Sequence, residues 1–250
     1  MLHGHAMARW DTLVAVVATA AHVSSLTNSE FQTAVYGSCE NAGATNISNL
    51  DVRGVTEMPL LCDPNSNNRL NFNADISRWD TSTVTTMIGT FDTLAGFNAD
   101  VSGWDTSSVI SMKTMFKDTV HFNGNLSGWD TSAVKNMEEM FYKARGFDLP
   151  LTFDTGSVTS MARMFSNADA FNSLIAFDTG SVTTMEGMFW KAASFDQTLV
   201  FNTSAVETMA YMFRQATAFN SGLIFFDPSA TTNMEGMFIE ATNFNSDVDF

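Results

Sequence analysis

The sequence predicts an α/β solenoid, a leucine-rich-repeat-like stack with one short parallel strand and one short helix in each repeat of 24–25 residues. Three regularities predict this fold: a recurring aromatic residue, a Met eight residues after it, and a Phe ten residues after that Met. The aromatic positions are Trp79, Trp104, Trp129, Phe153, Phe177, Phe201 and Phe226. The Met positions are Met87, Met112, Met137, Met161, Met185, Met209 and Met234. Such a regular period indicates tandem units that bury their apolar side chains against one another.

Each repeat contains a segment whose apolar residues have helical spacing. Met137, Met140, Phe141 and Ala144 stand at positions i, i+3, i+4 and i+7, which predicts one face of a helix of about two turns. A short segment such as 100–102 follows the Phe, and we expect it to be a strand. Its central aliphatic side chain should point inward and its two neighbours outward, because side chains alternate along a strand. The Asp-Thr-Ser that follows the aromatic residue predicts a turn.

The chain divides into three parts. Residues 1–24 are a possible signal peptide or leader, with an apolar run at 13–21 that follows Arg9. The alternative for this run is a helix packed over the first repeat. Residues 25–45 form an N-terminal capping helix and loop, with a helix from Thr27 to Val35 that begins at Asn28 or Ser29.

The repeats themselves, the predicted solenoid, occupy residues 46–250 and number about eight. Each repeat forms one rung of the stack. The first rung is irregular: Leu50 takes the aromatic position, Met58 keeps the Met position, and a polar insertion spans 63–69. The last rung is truncated at Phe250, and an uncapped end would leave a strand edge and core side chains exposed.

The charge of the chain limits its partners. Lys and Arg number 12 and Asp and Glu number 27, which gives a formal net charge of −15. This charge disfavours nucleic acid and anionic membrane surfaces, whereas cations or a basic partner are compatible with it. No run reaches the roughly 18 apolar residues of a membrane span, so we expect a chain that does not cross the membrane.

The repeats contain no arrangement of catalytic side chains. His121 is the one His outside the first 24 residues, and no nucleophile with a neighbouring base can be assembled around it. We therefore expect a protein without enzymatic activity, without a cofactor and without a metal centre. The Asp after each aromatic residue caps its own turn or, as the alternative, belongs to a weak cation-binding row. This row contains Asp80, Asp105, Asp130, Asp154, Asp178 and Asp227.

Two covalent features are expected at the surface and at the cap. Cys39 follows the predicted capping helix and Cys62 lies in the irregular first rung, so a disulfide between them would tie the cap to the repeats; two buried thiols are the alternative. Three Asn-x-Ser/Thr glycosylation motifs occur, at Asn46, Asn125 and Asn202.

The stretch from Phe97 to Val109, reading FNADVSGWDTSSV and followed by Met112 and Met115-Phe116, resembles a known family. It is similar to the BspA-type leucine-rich-repeat surface proteins of microbes, whose repeat reads approximately FNxDISxWDTSxVTxMxxMF. The resemblance extends from about residue 46 to 250 and implies a secreted or cell-surface location, with adhesion as one activity. The second half departs from the pattern, since Trp becomes Phe and Asp-Thr-Ser becomes Asp-Thr-Gly at 154–156 and 178–180.

These observations predict a non-catalytic extracellular or cell-surface module that recognises a protein or glycan through its sheet face. The outward strand residues are apolar in the later rungs and acidic in the early ones, and exposed apolar patches often mark interaction surfaces. The predicted contact residues are Leu174, Ala176, Thr198, Val200, Ile224, Asp75 and Asp100. The alternative is a structural surface-layer or cell-wall element that self-associates end to end through its uncapped ends.

Overall fold

The computed structural model describes residues 25–40, 46–66, 68–224 and 226–246. The predicted leader at 1–24 and the loop after the cap at 41–45 lie outside these residues. The regular elements are a helix α1 (Asn28–Glu40), a short 3-10 helix (Arg69–Asn71) and two strands, β1 (Leu199–Val200) and β2 (Leu223–Ile224). The strands pair in parallel. The other described residues form turns, isolated parallel bridges and irregular segments.

Helix α1 begins with a capping box. The Glu30 backbone N–H donates to the Thr27 hydroxyl, and the Thr27 backbone N–H donates to the Glu30 carboxylate at 2.9 Å. Thr27 is therefore the capping residue, and the helix begins at Asn28, one of the two predicted starts. The side chain of Asn28 instead accepts the backbone N–H of Thr56 at 2.9 Å. The helix continues to Glu40, beyond the predicted end at Val35.

Consecutive rungs lie side by side in register. The residue before each Met position pairs in parallel with the equivalent residue of the next rung. This row runs through Glu57, Thr86, Ser111, Asn136, Ser160, Thr184, Thr208 and Asn233. Neighbouring members are 24 or 25 residues apart in sequence. The exception is the first pair, which spans the polar insertion and is 29 residues apart. The repeat period read from the sequence therefore equals the spacing of the parallel pairing.

The short helix expected in each rung is absent from the described repeats, and overlapping turns take its place. Alternate backbone N–H groups donate to the next rung, such as Met137 to Ser160 at 3.0 Å and Glu139 to Ala162 at 2.9 Å. The N–H groups between them close local turns, such as Met140 to Met137 at 3.2 Å. The second and sixth residues after each Met position have φ between 54° and 65°. Left-handed residues at every fourth position exclude a right-handed α-helix.

The apolar spacing is nevertheless correct for burial. Met137, Met140, Phe141 and Ala144 are all fully buried, because the turns place the same four positions toward the core. Phe side chains form two columns through the stack; in one column the ring centroids of Phe116 and Phe141 are 5.5 Å apart. A buried Thr column completes the interior, and each hydroxyl donates to a backbone carbonyl of the next rung. Its members are Thr81, Thr106, Thr131, Thr155, Thr179 and Thr203.

The strand expected in every rung occurs only in the later rungs. Residues 199–200 pair with 223–224, and a single bridge joins Leu151 to Ile175. In the rungs of Trp79, Trp104 and Trp129 the same segment is one residue longer and folds into a turn. There the indole N–H makes the contact between rungs: that of Trp104 donates to the Ile76 carbonyl at 3.1 Å. The rung from Phe219 to Phe226 has the same longer spacing and nevertheless contains β2, so rung length alone does not exclude a strand.

Candidate binding surface

The outward side chains of the later strand segments form an exposed strip, defined as Leu174, Ala176, Thr198, Val200 and Ile224. Leu174 is 67% exposed, Val200 53% and Ile224 44%, although all three side chains are aliphatic. All five residues of the strip are exposed. Val200 and Ile224 are direct partners in the parallel pairing of β1 and β2.

The residues between these outward positions point toward the core. Leu199 is 1% exposed, and Ile175 and Leu223 are partly buried against the apolar core. The alternation predicted for this segment is therefore present in the structure: the inward aliphatic residue is Leu199 and its outward neighbours are Thr198 and Val200.

The two acidic residues predicted for the early part of this face are also exposed, but they lie in turns. The carboxylate of Asp100 accepts the backbone N–H of Ser102 at 2.9 Å, and that of Asp75 accepts the backbone N–H of Ser77 at 3.1 Å. Hydrogen bonds from the serine hydroxyl and then from its backbone N–H hold the pKa of each carboxyl below its usual range. Both groups therefore remain ionised in mildly acidic solution.

The Asp after each aromatic residue caps its own turn. The carboxylate of Asp130 accepts the backbone N–H of Ser132 at 3.0 Å and its hydroxyl at 2.7 Å. These bonds lower the pKa of Asp130. Equivalent backbone bonds are made by Asp80, Asp105, Asp154, Asp178 and Asp227, and by Asn202 in the rung where Asn replaces Asp. Within the described part of the chain, no group of three His, Cys, Asp or Glu side chains is arranged to hold a metal ion.

Charges are divided unequally around each rung. Seven segments each run from a Phe to the turn after the next aromatic position: 72–82, 97–107, 122–132, 147–156, 171–180, 195–204 and 219–229. Together they contain ten Asp and a single basic residue, Arg78. The three segments that carry the strip contain Asp178, Asp196 and Asp227 and no basic residue. Most basic side chains lie instead on the overlapping turns, where Lys117 pairs with Glu139 at 2.7 Å and Arg163 pairs with Glu186 at 2.8 Å.

The overlapping turns carry a cluster that the repeat pattern did not predict. Trp190 and Tyr211 stand in consecutive rungs with ring centroids 6.4 Å apart, and the Arg214 guanidinium carbon lies 5.6 Å and 5.5 Å from the two centroids. The one available signal was that Trp190 is an aromatic residue outside every periodic aromatic position. The contacts among these side chains depend on pairing between rungs, which the sequence of a single rung does not specify.

The disulfide between Cys39 and Cys62 is present, with Cα atoms 5.7 Å apart. Cys39 lies within α1, since the helix is longer than predicted. The three glycosylation-motif residues Asn46, Asn125 and Asn202 are exposed. Each uses its side-chain oxygen to accept the backbone N–H of the residue two positions later. Among the described residues, no helix has the length and apolar character needed to cross a membrane.

The stack and its repeating hydrogen bonds define a tandem-repeat protein. Three overlapping segments of the chain, residues 30–152, 62–177 and 172–250, match the family described as "Mycoplasma protein of unknown function, DUF285". Together these matches cover most of the chain, and the chain belongs to this family. Their overlap is expected for repeats that can align in more than one register. No curated protein and no solved structure matches the chain.

Proposed function

We propose that this chain is a secreted or cell-surface binding module of the BspA-like leucine-rich-repeat class, a solenoid without catalytic activity. Its strip recognises a protein partner. The observation that carries this proposal is the exposure of Leu174, Val200 and Ile224 on the face where the parallel strands pair. Exposed aliphatic side chains of neighbouring rungs are characteristic of interaction surfaces, and repeat proteins present extended surfaces for binding.

The charge around the strip specifies the chemistry of the partner. The three segments that carry the strip contain three Asp, at 178, 196 and 227, and no basic residue. A partner that combines apolar side chains with Lys or Arg would bury the strip and complement the surrounding carboxylates. The hydrogen bonds that lower the pKa of Asp75 and Asp100 keep this part of the surface ionised. Nucleic acid would be repelled by the same charges.

A selection of random peptides on the immobilised protein tests this function. We expect enriched peptides that contain both apolar and basic residues and that bind at least tenfold more weakly to Val200→Asp. Ile110→Asp is the matched control, because Ile110 is 52% exposed, almost the same as Val200 at 53%, but lies outside the strip. Binding of the enriched peptides to Val200→Asp as strong as to the unaltered protein would contradict the proposal.

End-to-end self-association is the second candidate, and one observation favours it. Met234 is 40% exposed although its six equivalents are fully buried, because no described rung covers it. The backbone N–H groups of 234, 236, 238 and 240 likewise donate to no described residue, whereas their equivalents bond to the next rung. Light scattering after size-exclusion chromatography tests this candidate: an oligomer that Met234→Asp dissociates supports it, and a monomer at all concentrations excludes it.

A further inference from the structure

The Arg214 guanidinium lies within cation–π distance of two aromatic rings. Its carbon is 5.6 Å from the Trp190 ring centroid and 5.5 Å from that of Tyr211. Hydrogen bonds position both rings: the Trp190 indole N–H donates to Gln215 at 3.4 Å, and the Tyr211 hydroxyl donates to Glu235.

Arg214 differs from Arg163, which lies on the equivalent turns, in having no anionic partner among the described residues. Arg163 pairs with Glu186 at 2.8 Å and with Glu139 at 3.7 Å. The guanidinium of Arg214 makes no ion pair or hydrogen bond with any described residue, and its Nε is buried without an acceptor.

The nearby carboxylates are occupied elsewhere. Glu186 is held by Arg163, and Glu235 accepts the Tyr211 hydroxyl. The basic side chain of Lys191 also lies near the cluster, 5.9 Å from the Trp190 ring centroid. The result is a local site in which a guanidinium without an anionic partner among the described residues lies beside two partly exposed rings.

We propose that Trp190, Tyr211 and Arg214 form a binding subsite for a carboxylated sugar residue of an acidic polysaccharide. The two terminal NH₂ groups of the guanidinium would donate parallel hydrogen bonds to the planar carboxylate, since the buried Nε is out of a ligand's reach. The two rings would contact the apolar face of the sugar, and the polar ends of the aromatic side chains would remain in water. This subsite lies on the overlapping turns, whereas the strip lies on the strand segments, so it is an activity additional to the proposed protein recognition.

Titration calorimetry with hexagalacturonic acid on the full chain tests the subsite. We expect saturable binding that Arg214→Gln weakens by about tenfold or more, as loss of a charged hydrogen-bonding group does. Arg214→Lys should also weaken it, because lysine retains the charge without the fork. Thermal unfolding of each variant shows whether its fold is retained. The fully methyl-esterified hexamer has the same sugars without the carboxylates and should not bind.

Two variants on the same turns serve as matched controls. Arg163→Gln removes an arginine whose donors are already used, and Tyr142→Ala removes an aromatic ring that lies 5.3 Å from the Lys117 ammonium. Both should bind the hexamer within about twofold of the unaltered protein, as should Val200→Asp, which disrupts only the strip. Absence of saturable binding, equal binding of the esterified hexamer, or an equal loss in Arg163→Gln would overturn the proposal. Failure of the peptide selection would leave this result unaffected, because the two tests use different surfaces.

Discussion

Replacing Gly187 or Gly89 with alanine tests the overlapping turns directly. Both glycines are in the left-handed region, with φ of +57° and +65°. Space for a methyl group is available at both: the nearest atom to an added Cβ is Arg163 Cγ at 3.4 Å for Gly187 and Thr114 Oγ1 at 3.5 Å for Gly89. Any destabilisation would therefore come from the backbone conformation.

The expected sign of the change in the free energy of unfolding differs between overlapping turns and a helix. An alanine in the left-handed region costs about 1–2 kcal/mol relative to the right-handed one. Loss of backbone freedom in the unfolded chain offsets about 0.4–1 kcal/mol of this. The net effect at Gly187 and Gly89 is a decrease of about 1 kcal/mol in the free energy of unfolding. If the same residues were inside a helix, alanine would instead increase it by about 1 kcal/mol.

Urea unfolding followed by circular dichroism measures this difference for each variant. In thermal unfolding, the melting temperature of each variant should fall by about 2–4 °C in a chain of this length. Gly103→Ala is the control, because its φ is outside the left-handed region and no atom that would meet an added Cβ is closer than 4.0 Å. It should be neutral or slightly stabilising. An increase in stability for both Gly187→Ala and Gly89→Ala would refute the assignment of turns.

Three further predictions concern the contacts between rungs, a buried acid and the cap. Trp104→Phe removes the hydrogen bond to the buried Ile76 carbonyl and should lower the free energy of unfolding by about 1–3 kcal/mol in urea titrations; no loss would show that the carbonyl finds another donor. Burial raises the pKa of Asp92 from 3.8 to about 6, so the folded state binds a proton more tightly and stability should fall as the pH rises between those values. Asp92→Asn should flatten this pH dependence. The total change in the free energy of unfolding over the range is at most about 3 kcal/mol, and about 1 kcal/mol after solvent screening. An unchanged pH dependence would exclude Asp92 as its source. Reduction of the Cys39–Cys62 disulfide should cost about 3 kcal/mol and expose α1 to proteolysis before the repeats, whereas simultaneous cleavage of both would contradict a cap held mainly by this bond.

The sequence predicts which side chains of a rung are buried, but not the backbone conformation that buries them. The spacing of Met137, Met140 and Phe141 is the same whether the chain forms a helix or overlapping turns. The left-handed residues could have revealed the turns, but most are not glycine; Glu139 and Lys143 have φ of 54° and 57°. Their cost is offset by hydrogen bonds to the next rung, which no local pattern encodes.

The exposed strip followed from the alternation of side chains along a strand, and Val200 and Ile224 are exposed as expected. The same alternation applied less well to Asp100, because the segment of its rung folds into a turn. The Arg214 cluster could not be derived at all. Its rings come from two rungs, and only the register of the stack brings Trp190 beside Tyr211.

The two kinds of rung constrain how the sequence can change. In the Trp rungs the Trp is the seventh residue after the Phe, and the indole N–H bonds to the preceding rung. In the rungs of Phe153, Phe177 and Phe201 the aromatic residue is the sixth after the Phe, and in the rung of Phe226 it is again the seventh. At Phe201 backbone N–H groups make the contact, since that of Leu199 donates to Gly222 at 3.1 Å. The rung of Phe219 and Phe226 keeps the longer spacing with Phe in place of Trp, and it contains β2. Exchange of Trp for Phe and loss of a residue are therefore separable changes. We expect a backbone contact between rungs wherever the indole donor is missing, whatever the length of the rung.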